Sequence, residues 1–137
     1  MQQEMRFDSG LLRVVASGPF SLGEAQRAFL EILEAIGRHQ AGKILVDGRT
    51  LTGNPRAMER FIYSKFAADE TLRLTRERSM PRVPRFAYVL NVPVRDPGKF
   101  GENVAVNRGM IVKVCETPEE AAEWLGLADC KTPAGGA

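Results

Sequence analysis

The sequence is poor in the residues that build metal sites, disulfide frameworks and membrane spans. Its 137 residues include two cysteines, one histidine and one tryptophan. A single histidine with two distant cysteines does not give the ligand spacing of a zinc site, and two cysteines make no disulfide framework. No apolar run approaches the roughly 20 residues needed to cross a bilayer. We therefore expect no metal, no cofactor, and reduced Cys115 and Cys130.

The chain also lacks a strong excess of charge of either sign. Its net charge is +2, which is too small to predict a nucleic-acid partner. The polar start, MQQEMRFD, is not typical of a signal peptide, so we expect a cytoplasmic protein. A hydrophobic content of 44% is sufficient for one core. We predict one domain over residues 1–127 and a disordered tail over 128–137.

Short apolar runs separated by polar turns predict the strands. Residues 4–8 and 11–16, joined at Ser9 and Gly10, predict a hairpin or a bent pair of strands. Continuous apolar runs at 43–47, 86–90 and 110–115 are typical of strands covered on both faces. A polar turn is expected directly after Asp47.

Four segments between and after these runs have helix signals. Ser21 and Glu24 have the spacing of a capping box, and the apolar residues after them repeat every three or four positions. Asn54 and Pro55 are typical of a second helix start, which we extend to about residue 73. A third helix is predicted over 97–108, and Thr117 with Pro118 predicts the start of a fourth.

The apolar residues within the last three helices predict which sides face the core. In the second helix we expect a buried stripe of Met58, Phe61, Ile62 and Phe66. In the third we expect inward positions at Phe100, Val104 and Ala105. In the fourth we expect Ala121, Ala122, Trp124 and Leu125 to face inward. The whole order predicts an α/β fold with a mixed, mostly parallel sheet of about five strands and four helices.

Several segments resemble one family of bacterial domains: SGPFSLGEA, KILVDGRTLTG, RFAYVLN and NRGMIVKVCETPEEAAEWL. Together with the element order they resemble the STAS domain of the sporulation anti-sigma-factor-antagonist type, in its stand-alone bacterial branch. The likeness covers residues 4–127. It implies a four-helix, mixed-sheet domain with a binding or regulatory role rather than catalysis.

The chain departs from the phospho-switch members of that family at one turn. Those members carry an Asp-Ser-Ser-Gly-like turn whose serine is phosphorylated at a helix N-terminus. Here the corresponding residues are Leu51, Thr52, Gly53 and Asn54. No phosphorylation site is therefore transferred to this chain.

Polar residues follow two core strands and form the first candidate site. Asp47 and Arg49 follow one strand, and Asn91 and Arg95 follow the next, at the edge of an open α/β sheet where ligands bind. We include Asn107 and Arg108 in the same polar cluster. The cluster reads either as a pocket for an anion or polar head group, or as a set of ion pairs that tie loops together.

The second candidate site is the start of the second helix. The resemblance places partner contacts at its turn, which offers Thr52 and Asn54. On the expected exposed side we place Arg56, Glu59, Arg60, Tyr63 and Lys65. Arginine and tyrosine are enriched where proteins bind each other. We expect a protein partner or a homodimer, with binding residues Asp47, Arg49, Thr52, Asn54, Arg60 and Tyr63.

Three other functions are compatible with the sequence. A cavity beside the second helix and residues 73–85 would suit a carrier of an apolar or amphiphilic, lipid-like ligand. The segment 73–85 itself contains five arginines against one glutamate, which would suit contact with a membrane surface. A hydrolase would need His39, which has no catalytic motif near it. We expect a non-catalytic binding domain.

Overall fold

The computed structural model describes residues 1–127, in which strands and helices alternate after an opening hairpin. The elements are β1 (Gln2–Asp8), β2 (Leu11–Pro19), α1 (Leu22–His39), β3 (Lys43–Thr52), α2 (Ala57–Glu77), β4 (Arg85–Val89), α3 (Phe100–Asn107), β5 (Ile111–Cys115) and α4 (Pro118–Leu125). The predicted α/β class, element order and counts are confirmed. The predicted tail at 128–137 and Cys130 lie outside the described residues.

The sheet has its strands in sequence order, from β1 at one edge to β5 at the other. The hairpin of β1 and β2 is antiparallel, and each later strand runs parallel to its neighbour. Parallel neighbours require a crossover, and α1, α2 and α3 supply the three crossovers.

Alternate side chains of each strand enter two separate cores. Leu12, Val14, Ile44 and Phe86 face the larger core, which α1, α2 and α3 cover. Their neighbours in sequence, such as Leu45, face the smaller core under α4. Since side chains alternate along a strand, the continuous run from Ile44 to Val46 places apolar groups on both covered faces.

The strand β3 continues beyond the polar turn expected after Asp47. Its register with β2 shifts by one residue between Val15 and Ser17, so that Ser17 lies opposite Thr50. A one-residue shift moves the following side chains to the other face of the sheet. Leu51 consequently lines the space beneath α1 and α2, on the opposite face from Asp47.

The helix α1 begins at the predicted cap and ends at His39. The Ser21 hydroxyl accepts the backbone N–H of Glu24 at 3.5 Å. The Glu24 carboxylate accepts a hydrogen bond from the Met1 amine at 2.7 Å. This contact takes the place of the one to the Ser21 backbone N–H that the predicted capping box would have. At the other end Gln40, with a φ of 55°, adopts the left-handed conformation expected of a glycine.

The prediction for α2 was wrong in its start and in its buried side. The helix begins at Ala57, and the backbone N–H of Arg56 donates to the Glu59 carboxylate at 2.9 Å. The buried residues are the small side chains of Ser64, Ala67, Ala68 and Thr71. Small side chains allow α2 to lie close to the sheet. Of the four bulky residues predicted to be buried, only Phe66 packs against the larger core. Met58 is 65% exposed, Phe61 38% and Ile62 37%.

Part of the predicted basic loop at 73–85 is helical instead. The helix α2 continues to Glu77, because Leu74 packs against the larger core in its last turn. Two arginines of the segment have partners in the protein. Arg73 pairs with Glu70 at 3.0 Å, and the Arg85 guanidinium stacks 4.7 Å from the centre of the Trp124 ring.

The last two helices lie within the predicted segments, with three corrections. In α3 Ala105 is buried as predicted, but Phe100 is 41% exposed. The Asp96 carboxylate accepts the backbone N–H groups of Gly98 and Phe100, which delays the start of the helix. In α4 the Thr117 cap and the Pro118 start are confirmed. Ala121, Ala122 and Leu125 are buried, whereas Trp124 is half-buried.

Candidate functional site

A partly open cavity of about 160 Å³ lies between the sheet and the three helices of the larger core. We call it the helix-side cavity. Its lining is mainly apolar and comes from both layers. The sheet contributes Ala16, Val46, Leu51, Tyr88 and Val112, and the helices contribute Ala25, Phe29, Ile32, Tyr63, Ala67 and Ala105.

The size of the lining residues explains why this part of the core is not filled. Alanines occupy lining positions in β2, α1, α2 and α3. An alanine has one side-chain carbon, so it keeps the helix backbone close without filling the space between elements. The large rings of Phe29 and Phe86 pack with their centroids 5.6 Å apart and form the neighbouring wall of the core.

Two tyrosines of the lining are paired with each other. The hydroxyls of Tyr63 on α2 and Tyr88 on β4 lie 2.8 Å apart and are hydrogen-bonded to each other. Burial raises the pKa of Tyr63 to about 12, and burial also raises the pKa of Tyr88. Both phenols are therefore protonated at neutral pH.

Charged residues gather at one side of the same cavity. The Arg60 guanidinium donates to the carbonyls of Pro93 and Val94 at 2.8 and 2.7 Å, which fixes α2 to the segment after β4. Asp96, Lys99 and Glu102 also contribute to the lining. The Glu102 carboxylate accepts the backbone N–H of Val114 at 2.7 Å.

The predicted polar cluster divides into separate contacts. Arg49 makes a bidentate pair with Asp47, at 2.9 and 2.7 Å, and this hydrogen bonding lowers the pKa of Asp47. The Asn91 amide donates to the Arg49 carbonyl at 3.2 Å, which joins the ends of β3 and β4. Arg95 donates to the Leu90 carbonyl at 3.2 Å. These contacts match the alternative in which the cluster ties loops together.

The remaining members of that cluster lie elsewhere. Arg108 pairs with Asp69 of α2 at 3.2 Å, and Asn107 is exposed at the end of α3. Asp47 and Arg49 line a second depression of about 200 Å³, together with Arg13 and Pro118. This depression lies on the α4 side of the sheet, so it is separate from the helix-side cavity.

The six predicted binding residues therefore do not form a single site. Asp47 and Arg49 lie on the α4 side of the sheet. Thr52 and Asn54 are exposed and belong to neither lining. Arg60 and Tyr63 line the helix-side cavity. The prediction that Arg60 and Tyr63 form part of the exposed side of the second helix was wrong, because α2 turns its small residues and these two toward the core.

Sequence reasoning missed Tyr88 and the small lining residues. Tyr88 lies within an apolar strand run, where an aromatic is read as core. The usable signal was the alternation along β4, which places Phe86 and Tyr88 on the same face of the sheet. Nothing local in the sequence indicates that Ala67 or Ala105 faces a void rather than a filled core.

The residues considered for catalysis or metal binding lie apart from the cavity. His39 is exposed, and its ring stacks on Phe7 with the centroids 4.5 Å apart. The Cys115 thiol is buried on the α4 side, and burial raises its pKa to about 11. Among residues 1–127, no three histidine, cysteine or acidic side chains are grouped as a metal site requires.

No protein-family model matches the sequence, and no curated protein is found to be similar to it. None of the helices within the described range has the length and apolar character needed to span a membrane. The STAS resemblance stays a prediction from sequence.

Proposed function

We propose that the protein binds a small apolar or amphiphilic ligand in the helix-side cavity, without catalysing a reaction on it. The observation that carries this proposal is the mainly apolar lining around about 160 Å³. An engineered protein cavity of about 150 Å³ lined by leucine, isoleucine and phenylalanine stays free of water and binds benzene. The ligand should therefore have an apolar part about as large as one six-membered ring.

The energetic cost of the cavity supports a functional role. Cavity formation in a core costs about 24 cal/mol per Å³, so a closed void of this size would cost on the order of 4 kcal/mol. Small domains have a total stability of only about 5–15 kcal/mol. Because the cavity is partly open, its actual cost is lower, and the same opening would admit a ligand.

The experiment compares binding of an apolar probe by two matched variants. Toluene would be titrated into the wild-type protein by calorimetry and by two-dimensional NMR. Ala67→Leu adds three carbons at a lining position, whereas Ala57→Leu makes the same change at an exposed residue of α2. We expect toluene to bind the wild type and the Ala57 variant, and to bind the Ala67 variant at least about tenfold more weakly.

Two results would contradict the proposal. Absence of toluene binding to a folded wild type would show that the cavity does not admit an apolar ligand. Equal toluene binding by the two leucine variants would place the binding site elsewhere. As a separate measurement, native mass spectrometry of protein purified from its own host would give the mass of any natural ligand.

A second candidate function, self-association into a homodimer, is favoured by one observation on α2. Met58, Phe61 and Ile62 are exposed apolar residues within one and a half turns, and we call them the α2 patch. Neighbouring exposed apolar residues mark interaction surfaces in many proteins. In such a dimer the α2 patch would form the interface, in place of the Arg60 and Tyr63 predicted from the sequence.

Sedimentation velocity tests the second candidate directly. The double variant Met58→Ser, Ile62→Ser should dissociate a wild-type dimer while its melting temperature changes little, because both side chains are already exposed. A monomeric wild type would refute it. Membrane contact through 73–85 and a cytoplasmic location stay predictions from sequence.

A further inference from the structure

The hydrogen-bond partners of the tyrosine pair bear on the chemistry of the ligand. The hydroxyls of Tyr63 and Tyr88 together carry two protons, and their mutual hydrogen bond uses one. Within residues 1–127 neither hydroxyl has a further hydrogen-bond partner. One phenolic O–H is therefore available as a donor in a lining that is otherwise mainly apolar.

We infer that the ligand carries a neutral hydrogen-bond acceptor, such as a carbonyl oxygen, beside its apolar part, and that the Tyr63–Tyr88 pair donates to it. This inference rests on the proposed function, since it describes the ligand of the same cavity. It assigns a polar anchor to the cavity and narrows the ligand class from hydrocarbons to small apolar ketones, aldehydes or esters.

The two rings are held in place before any ligand binds. Tyr63 meets the Phe29 ring edge to face, with centroids 6.1 Å apart and an interplanar angle of 81°. Tyr88 stacks on Phe86 with centroids 6.5 Å apart. A donor whose ring is already packed loses little conformational freedom on binding, so its hydrogen bond contributes more to affinity.

The surroundings of the pair favour a neutral acceptor over a carboxylate. A carboxylate buried without a cation carries a large desolvation penalty. The Arg60 guanidinium is engaged with the Pro93 and Val94 carbonyls. The other two lining cations are the Met1 amine, which pairs with Glu24, and Lys99, which is exposed. Both phenols also keep their protons, because burial raises the pKa of each. The pair is thus a donor throughout the physiological pH range.

A pair of matched probes isolates the contribution of the acceptor oxygen. Cyclohexanone and methylenecyclohexane have the same ring and differ by an oxygen in place of a CH2 group. Their dissociation constants would be measured for the wild type and for the double variant Tyr63→Phe, Tyr88→Phe. The double variant keeps both rings and removes both hydroxyls. A single variant would leave one hydroxyl free to donate, so it is the less decisive change.

We expect the preference for cyclohexanone over methylenecyclohexane to fall about 3- to 10-fold in the double variant, the range for one neutral hydrogen bond. Thr71→Val is the control, because it removes a buried hydroxyl of the same helix that donates to the Ala67 carbonyl and is outside the lining. In this control the preference should not change. The infrared carbonyl stretch of bound cyclohexanone should lie at lower frequency in the wild type than in the double variant.

The possible outcomes separate the inference from the proposed function. If both probes bind and the preference is the same in wild type and double variant, the tyrosine anchor is wrong and the apolar cavity stands. If neither probe binds the folded wild type, both proposals fail. A fall in preference for the Thr71 control equal to that of the double variant would also overturn the anchor, since the effect would then not belong to the pair.

Discussion

The tyrosine pair predicts a loss of stability in strong alkali. Burial raises the pKa of Tyr63 from 10.0 to about 12, and the pKa of Tyr88 is raised as well. Below pH 10 the folded and unfolded chains both keep the Tyr63 proton, so the stabilising contribution is fully present. Between pH 10 and about 12 the unfolded chain releases the proton first. Stability therefore falls as pH rises through this window.

The magnitude follows from the size of the pKa shift. One pKa unit corresponds to about 1.4 kcal/mol. For Tyr63 the raised pKa corresponds to about 2 kcal/mol of folding free energy, after allowance for solvent screening of a half-buried side chain. Tyr88 adds a loss of the same sign. Such losses are a considerable fraction of the stability of a small domain.

Two measurements check this prediction. Urea unfolding at several pH values between 8 and 12 should give a free energy of unfolding that declines above about pH 10. The tyrosinate absorbance band provides an independent reading, because Tyr63 and Tyr88 are the two tyrosines of the chain. In the folded protein this band should develop at a higher pH than in urea.

The double variant Tyr63→Phe, Tyr88→Phe serves as the control for alkaline unfolding. Burial also raises the pKa of Cys115, from 9.0 to about 11, so the thiol contributes a loss of its own in an overlapping window. In the variant, the free energy of unfolding should still decline through the Cys115 contribution, and the contribution of the two tyrosines should be absent. Equal declines in wild type and variant, or a normal tyrosinate titration in the folded protein, would refute the buried pair.

Three further predictions concern stability, each checked by urea unfolding with the dependence on denaturant compared with wild type. Phe29→Ala should cost about 3–5 kcal/mol, because the ring is fully buried at the centre of the larger core. A cost under about 1 kcal/mol would contradict that central position. Thr117→Ala should cost about 1 kcal/mol through loss of the α4 cap, and Thr117→Ser should restore most of it. Trp124→Ala should cost about 2 kcal/mol, less than Phe29→Ala, because Trp124 is half-buried. A larger cost for Trp124→Ala than for Phe29→Ala would place the main core on the α4 side.

Local features of the sequence determined the element order. The run from Ile44 to Val46 has no polar residue, and such a run is stable as a strand only when both faces are covered. Thr117 and Pro118 set the start of α4 through contacts within one turn, so no distant residue was needed to locate it. These signals also predicted the mixed sheet, because strand and helix alternate after the opening hairpin.

The orientation of α2 was decided only in the tertiary structure. Its bulky residues from Met58 to Phe66 lie on several sides of the helix, so hydrophobicity alone did not identify the buried side. The helix packs through Ser64, Ala67, Ala68 and Thr71, because the adjacent sheet and Phe29 leave room for small side chains there. That choice turned Tyr63 inward and left the α2 patch outside.

The helix-side cavity likewise depends on the meeting of distant segments. The sequence by itself determined which segments are strands and helices and that several small residues face the core, since those properties depend on neighbours within a few positions. The tertiary structure decided that the alanines of four elements meet at one place, that the register shift in β3 turns Leu51 toward them, and that the hydroxyls of Tyr63 and Tyr88 lie 2.8 Å apart. A void is a property of the space between elements, so no single segment encodes it.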